Sequence, residues 1–222
     1  MSQTVPVIAI DGPSASGKGT VAARVAAHLG WHYLDSGALY RLTALAAQNR
    51  SIDLADEPEV SAVAAHLDAA FLEGVVLLDG EDVTDIIRTE TAGEGASRVA
   101  VLPGVRAALL QRQRDFARAP GLVTDGRDMG SVVFPAATLK IFLTASAEER
   151  AQRRYKQLIA KGESVTISQI LLDVQQRDAR DSARSVAPLR QLPDARLLDT
   201  TTLPISDAVQ TVLDWLHEVM PG

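Results

Sequence analysis

The sequence predicts an α/β fold in which a five-stranded parallel sheet is flanked by helices. Short apolar runs recur along the chain and alternate with stretches of helical periodicity, and a glycine-rich loop separates the first run from the first helical stretch. Parallel strands need long crossover connections, so this alternation favours a parallel sheet. The predicted strands are residues 5–10, 31–34, 121–125, 139–143 and 195–199.

The composition predicts a single globular domain. The 222 residues are 46% hydrophobic, enough to bury a full core and a small inserted subdomain. The formal net charge of −6 argues against a protein that binds nucleic acid. The chain has no Cys, which excludes disulfides and thiolate metal sites, and its four His residues lack the spacing typical of metal ligands. They are His28, His32, His66 and His217.

The first residues show none of the features of a targeting segment. Residues 1–10 lack a basic stretch, and Asp11 interrupts the only early apolar run. We therefore expect neither a signal peptide nor a membrane span, and we expect the protein to be cytoplasmic.

The first helical stretch follows the loop DGPSASGKGT, residues 11–20, which has the spacing of a phosphate-binding loop. In such loops, backbone N–H groups and a helix N-terminus bind an anion, and we expect Lys18 to face solvent and reach between the β- and γ-phosphates of a nucleotide. An ordinary glycine turn is one alternative. Gly17, Gly19 and Ala22 also match a dinucleotide-binding fingerprint loosely, but that fingerprint begins closer to its strand.

One position of the loop departs from the usual pattern. Gly19 stands where a magnesium-binding Ser or Thr is expected, and the hydroxyl comes one residue later, at Thr20. Residues 20–30 then have helical periodicity, with Gly30 just past the predicted helix end.

Two later segments add to this alternation. Residues 69–88 combine Gly and Asp-Gly turn signals with a β-branched run, which predicts a small antiparallel hairpin in an inserted subdomain around residues 60–100. Residues 146–149 and 166–169 each fit a capping box, which predicts helices that begin near 147 and 167. Gly162 ends the first of these, so we expect a helical hairpin over 147–184.

A polar motif, LDSGALYR at residues 34–41, follows the second predicted strand. It places Asp35, Ser36, Tyr40 and Arg41 near the carboxyl ends of the strands, where parallel sheets bind ligands. A plain helix cap by Ser36 would also explain the motif.

A second polar motif, TDGRDMGSVVFP at residues 124–135, follows the third predicted strand. Asp125, Arg127 and Asp128 are close together there, which suits both an anion and a magnesium–water shell. Turn chemistry at Asp125 and Gly126 is the alternative.

Charged residues dominate QRDARDSARSVAPLR, residues 176–190. Arg177, Arg180, Asp181 and Arg184 fall at helical spacing on one predicted face. A solvated face with salt bridges is the usual explanation of such a run. Guanidinium groups that converge beside a phosphate loop would instead bind the oxygens of a transferring phosphoryl group.

These motifs, together with LLDGEDVTDIIRT at residues 77–89, occur in the order and approximate spacing of bacterial cytidylate (CMP) kinases, and the chain resembles this family over nearly its whole length. The resemblance implies a P-loop kinase with a monophosphate-binding subdomain and a helical lid around 147–184. It also implies a monomer that binds ATP and CMP or dCMP. From the net charge and the lack of a long apolar run we expect no nucleic-acid or membrane partner.

The resemblance further implies magnesium-dependent phosphoryl transfer from ATP. The segment GKGT is similar to the loop of nucleoside monophosphate kinases, where phosphate oxygens and water supply most of the ligands of Mg²⁺. No residue of the chain is then expected to bind the metal directly, and Asp125 would lie in its outer shell.

Individual roles follow from the same resemblance. The ATP-binding positions are Gly12, Pro13, Ser14, Ala15, Ser16, Gly17, Lys18, Gly19 and Thr20. The sequence pattern itself places Arg150, Arg153 and Arg154 on the predicted helix before the charged run, where they would close over ATP, with surface charge as the alternative for some of them. Arg154 is the one assigned to ATP. The CMP-contacting positions are Ser36, Arg41, Ser97, Arg106, Arg127, Asp128, Arg177, Asp181 and Arg184. The residues implied in catalysis are Lys18, Arg127, Arg177 and Arg184.

Two other functions stay open from the residues alone. One is a kinase for another nucleoside monophosphate, such as UMP. The other is a P-loop protein that acts as a nucleotide-dependent switch, although the Asn-Lys-x-Asp and Asp-x-x-Gly motifs of such switches are absent.

Overall fold

The computed structural model describes residues 5–72, 74–184 and 186–220. In chain order its strands are β1 (Val7–Asp11), β2 (His32–Asp35), β3 (Ala69–Leu72), β4 (Val75–Leu78), β5 (Glu81–Asp82), β6 (Leu122–Gly126), β7 (Leu139–Thr144) and β8 (Arg196–Asp199). Its α-helices are α1 (Lys18–Leu29), α2 (Ser36–Asn49), α3 (Glu57–Ala65), α4 (Glu90–Val99), α5 (Pro103–Arg114), α6 (Ala147–Ala160), α7 (Ile167–Ser182) and α8 (Ile205–Val219). A 3₁₀ turn covers Ile86–Arg88, and a π-helical turn covers Met129–Val133.

Five of the strands form a parallel sheet with the order β2-β6-β1-β7-β8. β1 lies at its centre, where Asp11 pairs with Gly126 of β6 and with Phe142 of β7. Every residue of β1 and β6 is buried, as expected of strands covered on both faces. The five strands are those that the sequence predicts, and the predicted α/β fold is confirmed.

The core of this sheet packs against α1 and α8. Ile8 and Ile10 of β1 lie in one buried cluster with Val21 and Val25 of α1 and Val212 of α8. Because the two valines of α1 are one helical turn apart, they lie on the same face of the helix and both reach the sheet. Gly30 adopts φ of 65° and ends α1 where the sequence predicts.

Helices α6 and α7 begin at their predicted capping boxes. The hydroxyl of Ser146 accepts the N–H of Glu149 at 3.2 Å, and the hydroxyl of Thr166 accepts the N–H of Gln169 at 3.3 Å. Gly162, with φ of 82°, follows the end of α6. Apolar side chains of the two helices form a small core of their own. The predicted helical hairpin is therefore present.

The chain divides into two compact units, one from the described parts of residues 1–34 and 116–222 and the other from residues 35–115. The second contains α2 to α5 and a small antiparallel sheet with the order β3-β4-β5. The predicted hairpin at 69–88 is present, and β5 adds a short third strand to it. Over the ranges that the structure describes, none of the helices has both the length and the apolar character needed to cross a membrane.

Candidate active site

The predicted phosphate-binding loop lies between the end of β1 and the start of α1. A Cβ at Gly12 would lie 2.0 Å from the carbonyl oxygen of Leu143, so a larger residue would clash with β7. Gly17 adopts φ of 92°, a conformation that favours glycine. Because Gly17 is the N-cap of α1 and has no side chain, the first N–H groups of the helix receive no capping oxygen from it. They are suited to an anion.

Buried polar groups line the loop itself. Within the described ranges, Ser14 Oγ and Ser16 Oγ are buried and have no hydrogen-bond partner. The Nζ of Lys18 donates to the carbonyl oxygen of Pro13 at 3.1 Å. Lys18 is 8% exposed, so the expectation that it faces solvent is wrong, because it begins α1 and its side chain turns back onto the loop. A phosphate group would supply the acceptors that the two hydroxyls lack.

Position 19 faces a buried carboxylate. A Cβ at Gly19 would lie 3.6 Å and 3.8 Å from the carboxylate oxygens of Asp125 and 3.5 Å from Tyr33 Oη. Tyr33 Oη donates to Asp125 Oδ1 at 2.7 Å. A hydroxyl at position 19 would compete with Tyr33 for this carboxylate, whereas Thr20 is exposed.

This arrangement fits a magnesium ion that is held mainly by phosphate oxygens and water. Mg²⁺ prefers oxygen ligands and keeps several of its waters, and the Asp125 carboxylate can accept hydrogen bonds from such waters. The described residues contain no group of three His, Cys, Asp or Glu side chains that could hold the ion without phosphate.

A second group of charged residues surrounds Asp181, near the end of α7. Arg127 Nε donates to Asp181 Oδ2 at 2.6 Å, and Arg184 Nη2 donates to Asp181 Oδ1. The Asp181 side chain is 1% exposed. Burial opposes its ionisation, but the guanidinium groups of Arg127, Arg184 and Arg177 outweigh burial and hold the pKa of this carboxyl below its usual range. Three guanidinium groups around one carboxylate leave a positive charge that suits an anionic ligand.

This Asp181 cluster differs from the helix face that the sequence predicts. α7 ends at Ser182, so Arg184 lies beyond the helix, and Arg180 is exposed. The third arginine in the cluster is instead Arg127, from the loop after β6. The chain turns back after α7, where the N–H of Leu189 donates to the carbonyl oxygen of Asp181 at 3.0 Å. The prediction of one continuous helix face through Arg184 is therefore wrong.

Two of the three arginines on α6 contact the phosphate-binding loop, whereas Arg154 donates to Gln157 of the same helix at 3.3 Å. Arg150 is buried and forms a two-pronged salt bridge with Asp178 of α7, at 3.0 Å and 2.5 Å. Arg150 and Arg153 also donate to carbonyl oxygens of the phosphate-binding loop, at 3.3 Å and 3.1 Å. Both residues therefore brace the loop, whereas the contact of Arg154 with ATP stays a prediction.

Four of the predicted residues lie in the unit of residues 35–115. Ser36 begins α2, but Asp35 is its N-cap and accepts the N–H of Ala38 at 3.1 Å, so the alternative that Ser36 caps this helix is wrong. Arg41 forms a salt bridge with Asp35.

The other two residues of this group are buried. Ser97 lies on α4, and Arg106 of α5 donates from Nη1 to the carbonyl oxygen of Ala100 at 3.2 Å. A buried guanidinium and a buried hydroxyl are unusual in a small unit and fit a polar ligand, but their contact with CMP stays a prediction.

Four polar residues that the sequence analysis did not select also contribute to the site: Asp11, Tyr33, Asp178 and Thr200. Thr200 Oγ1 lies 3.1 Å from the carbonyl oxygen of Ser16 and so supports the phosphate-binding loop. Asp178 could have been found from its spacing of three residues from Asp181, which puts both on one face of α7. For Asp11, the only signal is its place directly before Gly12.

Comparison with known proteins identifies the family. The family model described as cytidylate kinase matches residues 8–218 of this chain. The chain belongs to the cytidylate kinase family. A curated cytidylate kinase of Chromobacterium violaceum is 68% identical over 215 residues, which cover 97% of this chain and 97% of that protein. A cytidylate kinase of Neisseria gonorrhoeae is 62% identical over 213 residues, which cover 96% of this chain and 98% of that protein.

Solved structures support the fold. A gluconokinase from Sinorhizobium meliloti has a TM-score of 0.50 and 15% sequence identity, over 97% of this chain and 94% of that chain, and at this identity it supports the fold alone. The predicted P-loop kinase fold and the resemblance to bacterial cytidylate kinases are thus confirmed. The expected class of protein, a kinase, is confirmed with them.

Proposed function

We propose that the protein transfers the γ-phosphoryl group of ATP to the phosphate of CMP or dCMP, which gives ADP and CDP or dCDP. The observation that carries this proposal is that, in a member of the cytidylate kinase family, one compact unit contains both a phosphate-binding loop and the Asp181 cluster. Phosphoryl transfer needs positioned cationic donors around the group that moves, and these two features supply them.

The loop and Lys18 bind the phosphates of ATP. The first N–H groups of α1 and the hydroxyls of Ser14 and Ser16 donate to phosphate oxygens. Lys18 exchanges its contact with the Pro13 carbonyl for the oxygens between the β- and γ-phosphates, where a cation is more strongly attracted. Because Arg153 and Thr200 already hold the Ser16 carbonyl, the backbone of the loop needs little rearrangement when ATP binds.

The Asp181 cluster binds the monophosphate. Asp181 keeps the guanidinium groups of Arg127 and Arg184 in place and accepts a hydrogen bond from a ribose hydroxyl. Together with Arg177, these guanidinium groups bind phosphate oxygens of the acceptor and of the group in transfer.

The reaction is an in-line displacement. An oxygen of the CMP phosphate attacks the γ-phosphorus, a new P–O bond forms as the bond to the β-phosphate oxygen breaks, and ADP leaves with that electron pair. The attacking oxygen is already anionic, so no strong general base is required. Asp125 would accept hydrogen bonds from the waters of a bound Mg²⁺, which would supply further neutralisation of the phosphate charge.

Recognition of cytosine falls to Asp128. Cytosine has an N4 amine that donates and an N3 that accepts, whereas uracil has the reverse pattern at these positions. Asp128 is 4% exposed, and its carboxyl group offers an acceptor for the N4 amine. Uracil would set its O4 against the carboxylate, and such a mismatch in a buried site can discriminate by about 10⁴.

A coupled assay of ADP release tests the proposal with CMP, dCMP, UMP and AMP as acceptors. We expect rapid release with CMP or dCMP and formation of the matching diphosphate. Preference for UMP or AMP would reassign the substrate. Release of inorganic phosphate without any nucleoside diphosphate product would instead support a nucleotide-dependent switch.

A further inference from the structure

The carboxylate of Asp11 joins β1 to the loop that carries Arg127 and Asp128. Asp11 is the last residue of β1, directly before the phosphate-binding loop, and it is 7% exposed. Its Oδ1 accepts the N–H of Met129 at 2.8 Å, and its Oδ2 accepts the N–H of Gly130 at 2.8 Å. Both oxygens of one buried carboxylate therefore hold successive backbone N–H groups of the same turn.

These two N–H groups open the π-helical turn Met129–Val133, which begins directly after Asp128. The first N–H groups of a helical turn have no acceptor within it, so they need one from outside. Gly130 also packs closely, since a Cβ there would lie 3.2 Å from Lys140 Cδ and 3.5 Å from Asp11 Oδ2. Held on two sides, the turn fixes the backbone from which the side chain of Asp128 projects.

A neutral side chain of the same shape could not make both contacts. Asn has one carbonyl oxygen, and its NH₂ group would face a backbone N–H. The chain has a carboxylate here although burial raises the pKa of Asp11 to about 6, against the opposing effect of the Gly130 and Met129 N–H groups. The charge of Asp128 raises the pKa of Asp11 further, and the charge of Arg127 lowers it.

We propose that Asp11 is a positioning residue, which sets the register of the Arg127–Asp128 segment against the phosphate-binding loop and so aligns the acceptor with the γ-phosphoryl group. The inference rests on the proposed function, because it assigns Asp11 to the acceptor side of the transfer. Asp11 acts through the backbone of Met129 and Gly130. A shift of this backbone by about 1 Å would be enough to lower turnover about a hundredfold.

The test is Asp11→Asn, with Asp214→Asn as the matched control. Asp214 is an exposed carboxylate on α8, so the control makes the same chemical change away from the site. The measurements are kcat and KM for CMP at saturating ATP, the ratio of kcat/KM between CMP and UMP, and the Kd of a non-hydrolysable ATP analogue with Mg²⁺ and without CMP. In Asp11→Asn we expect kcat/KM for CMP to fall about tenfold to a hundredfold and the preference for CMP over UMP to decrease. The Kd of the ATP analogue should stay within about twofold of the wild-type value.

Unchanged kcat/KM for CMP in folded Asp11→Asn would overturn the inference. An equal loss of affinity for the ATP analogue would also overturn it, since Asp11 would then support the phosphate-binding loop. Failure of the wild-type protein to phosphorylate CMP would contradict the proposed function instead. If Asp11→Asn does not fold, Asp11→Glu decides, because it keeps the carboxylate but displaces its oxygens by one methylene group. A loss of kcat/KM for CMP in Asp11→Glu, with the Kd of the ATP analogue unchanged, would support the inference. Unchanged kcat/KM for CMP would overturn it.

Discussion

Replacing Asp11 by Asn should remove a pH dependence from the free energy of unfolding. The ordinary pKa of an aspartate is 3.8, and burial raises the pKa of Asp11 to about 6 in the folded protein. Between pH 3.8 and about 6, this carboxyl is therefore protonated to a greater extent in the folded state than in the unfolded state. The contribution of this carboxyl to stability is therefore fully present below pH 3.8 and is lost as the pH rises through about 6.

The size of the effect follows from the two pKa values. The interval from 3.8 to about 6 corresponds to about 3 kcal/mol in full, at 1.36 kcal/mol for each pKa unit. Lowering the pH from 7.5 to 4.5 recovers about 2 kcal/mol of this contribution. Over that change the wild-type protein should gain about 2 kcal/mol of stability relative to Asp11→Asn, which cannot take up this proton.

Denaturant unfolding at the two pH values measures this difference. The fluorescence of Trp31 and Trp215 reports on the core of the parallel sheet, because both side chains pack against it. Asp214→Asn shows the effect of removing an exposed carboxylate. A stability difference between wild type and Asp11→Asn that stays constant within about 0.5 kcal/mol would refute the reasoning that burial governs the ionisation of Asp11.

Further predictions concern the proposed reaction. Lys18→Ala should lower kcat by orders of magnitude without loss of helical circular dichroism, and near-normal turnover would contradict its charge-neutralising role. Asp181→Ala should raise KM for CMP and lower the unfolding free energy by about 3–5 kcal/mol, because it removes the buried carboxylate that balances the charges of Arg127 and Arg184. Unchanged values of both would contradict this role of Asp181. Asp128→Ala should lower kcat/KM for CMP more than for UMP, and a constant ratio would show that another acceptor reads the base. Without CMP, hydrolysis of ATP should be slow, because the predicted lid must close over the substrates to bring in its arginines and exclude water. A rapid rate of ATP hydrolysis in the absence of CMP would support a nucleotide-dependent switch protein.

The amino-acid sequence alone predicts the five strands of the parallel sheet, helices α1, α6 and α7, the hairpin at 69–88 and the phosphate-binding loop. The apolar runs of β1 and β6, the glycines at 12 and 17 and the capping box at 146–149 are local signals, each read from a few adjacent residues. Such signals act within one element, because they depend on backbone conformation and on contacts a few residues apart. They are therefore visible before any packing is known.

Which polar side chains meet depends on the tertiary structure. Asp11 and Met129 are 118 residues apart, and Arg127 and Asp181 are 54 residues apart. The first pair meets because the sheet order puts β6 beside β1, so the loops after these strands are neighbours. The second depends on where α7 ends and how the chain turns back from it. Helical spacing therefore predicted Arg180 beside Asp181 and missed Arg127. Spacing along one helix carries no information about residues that the rest of the fold brings to it.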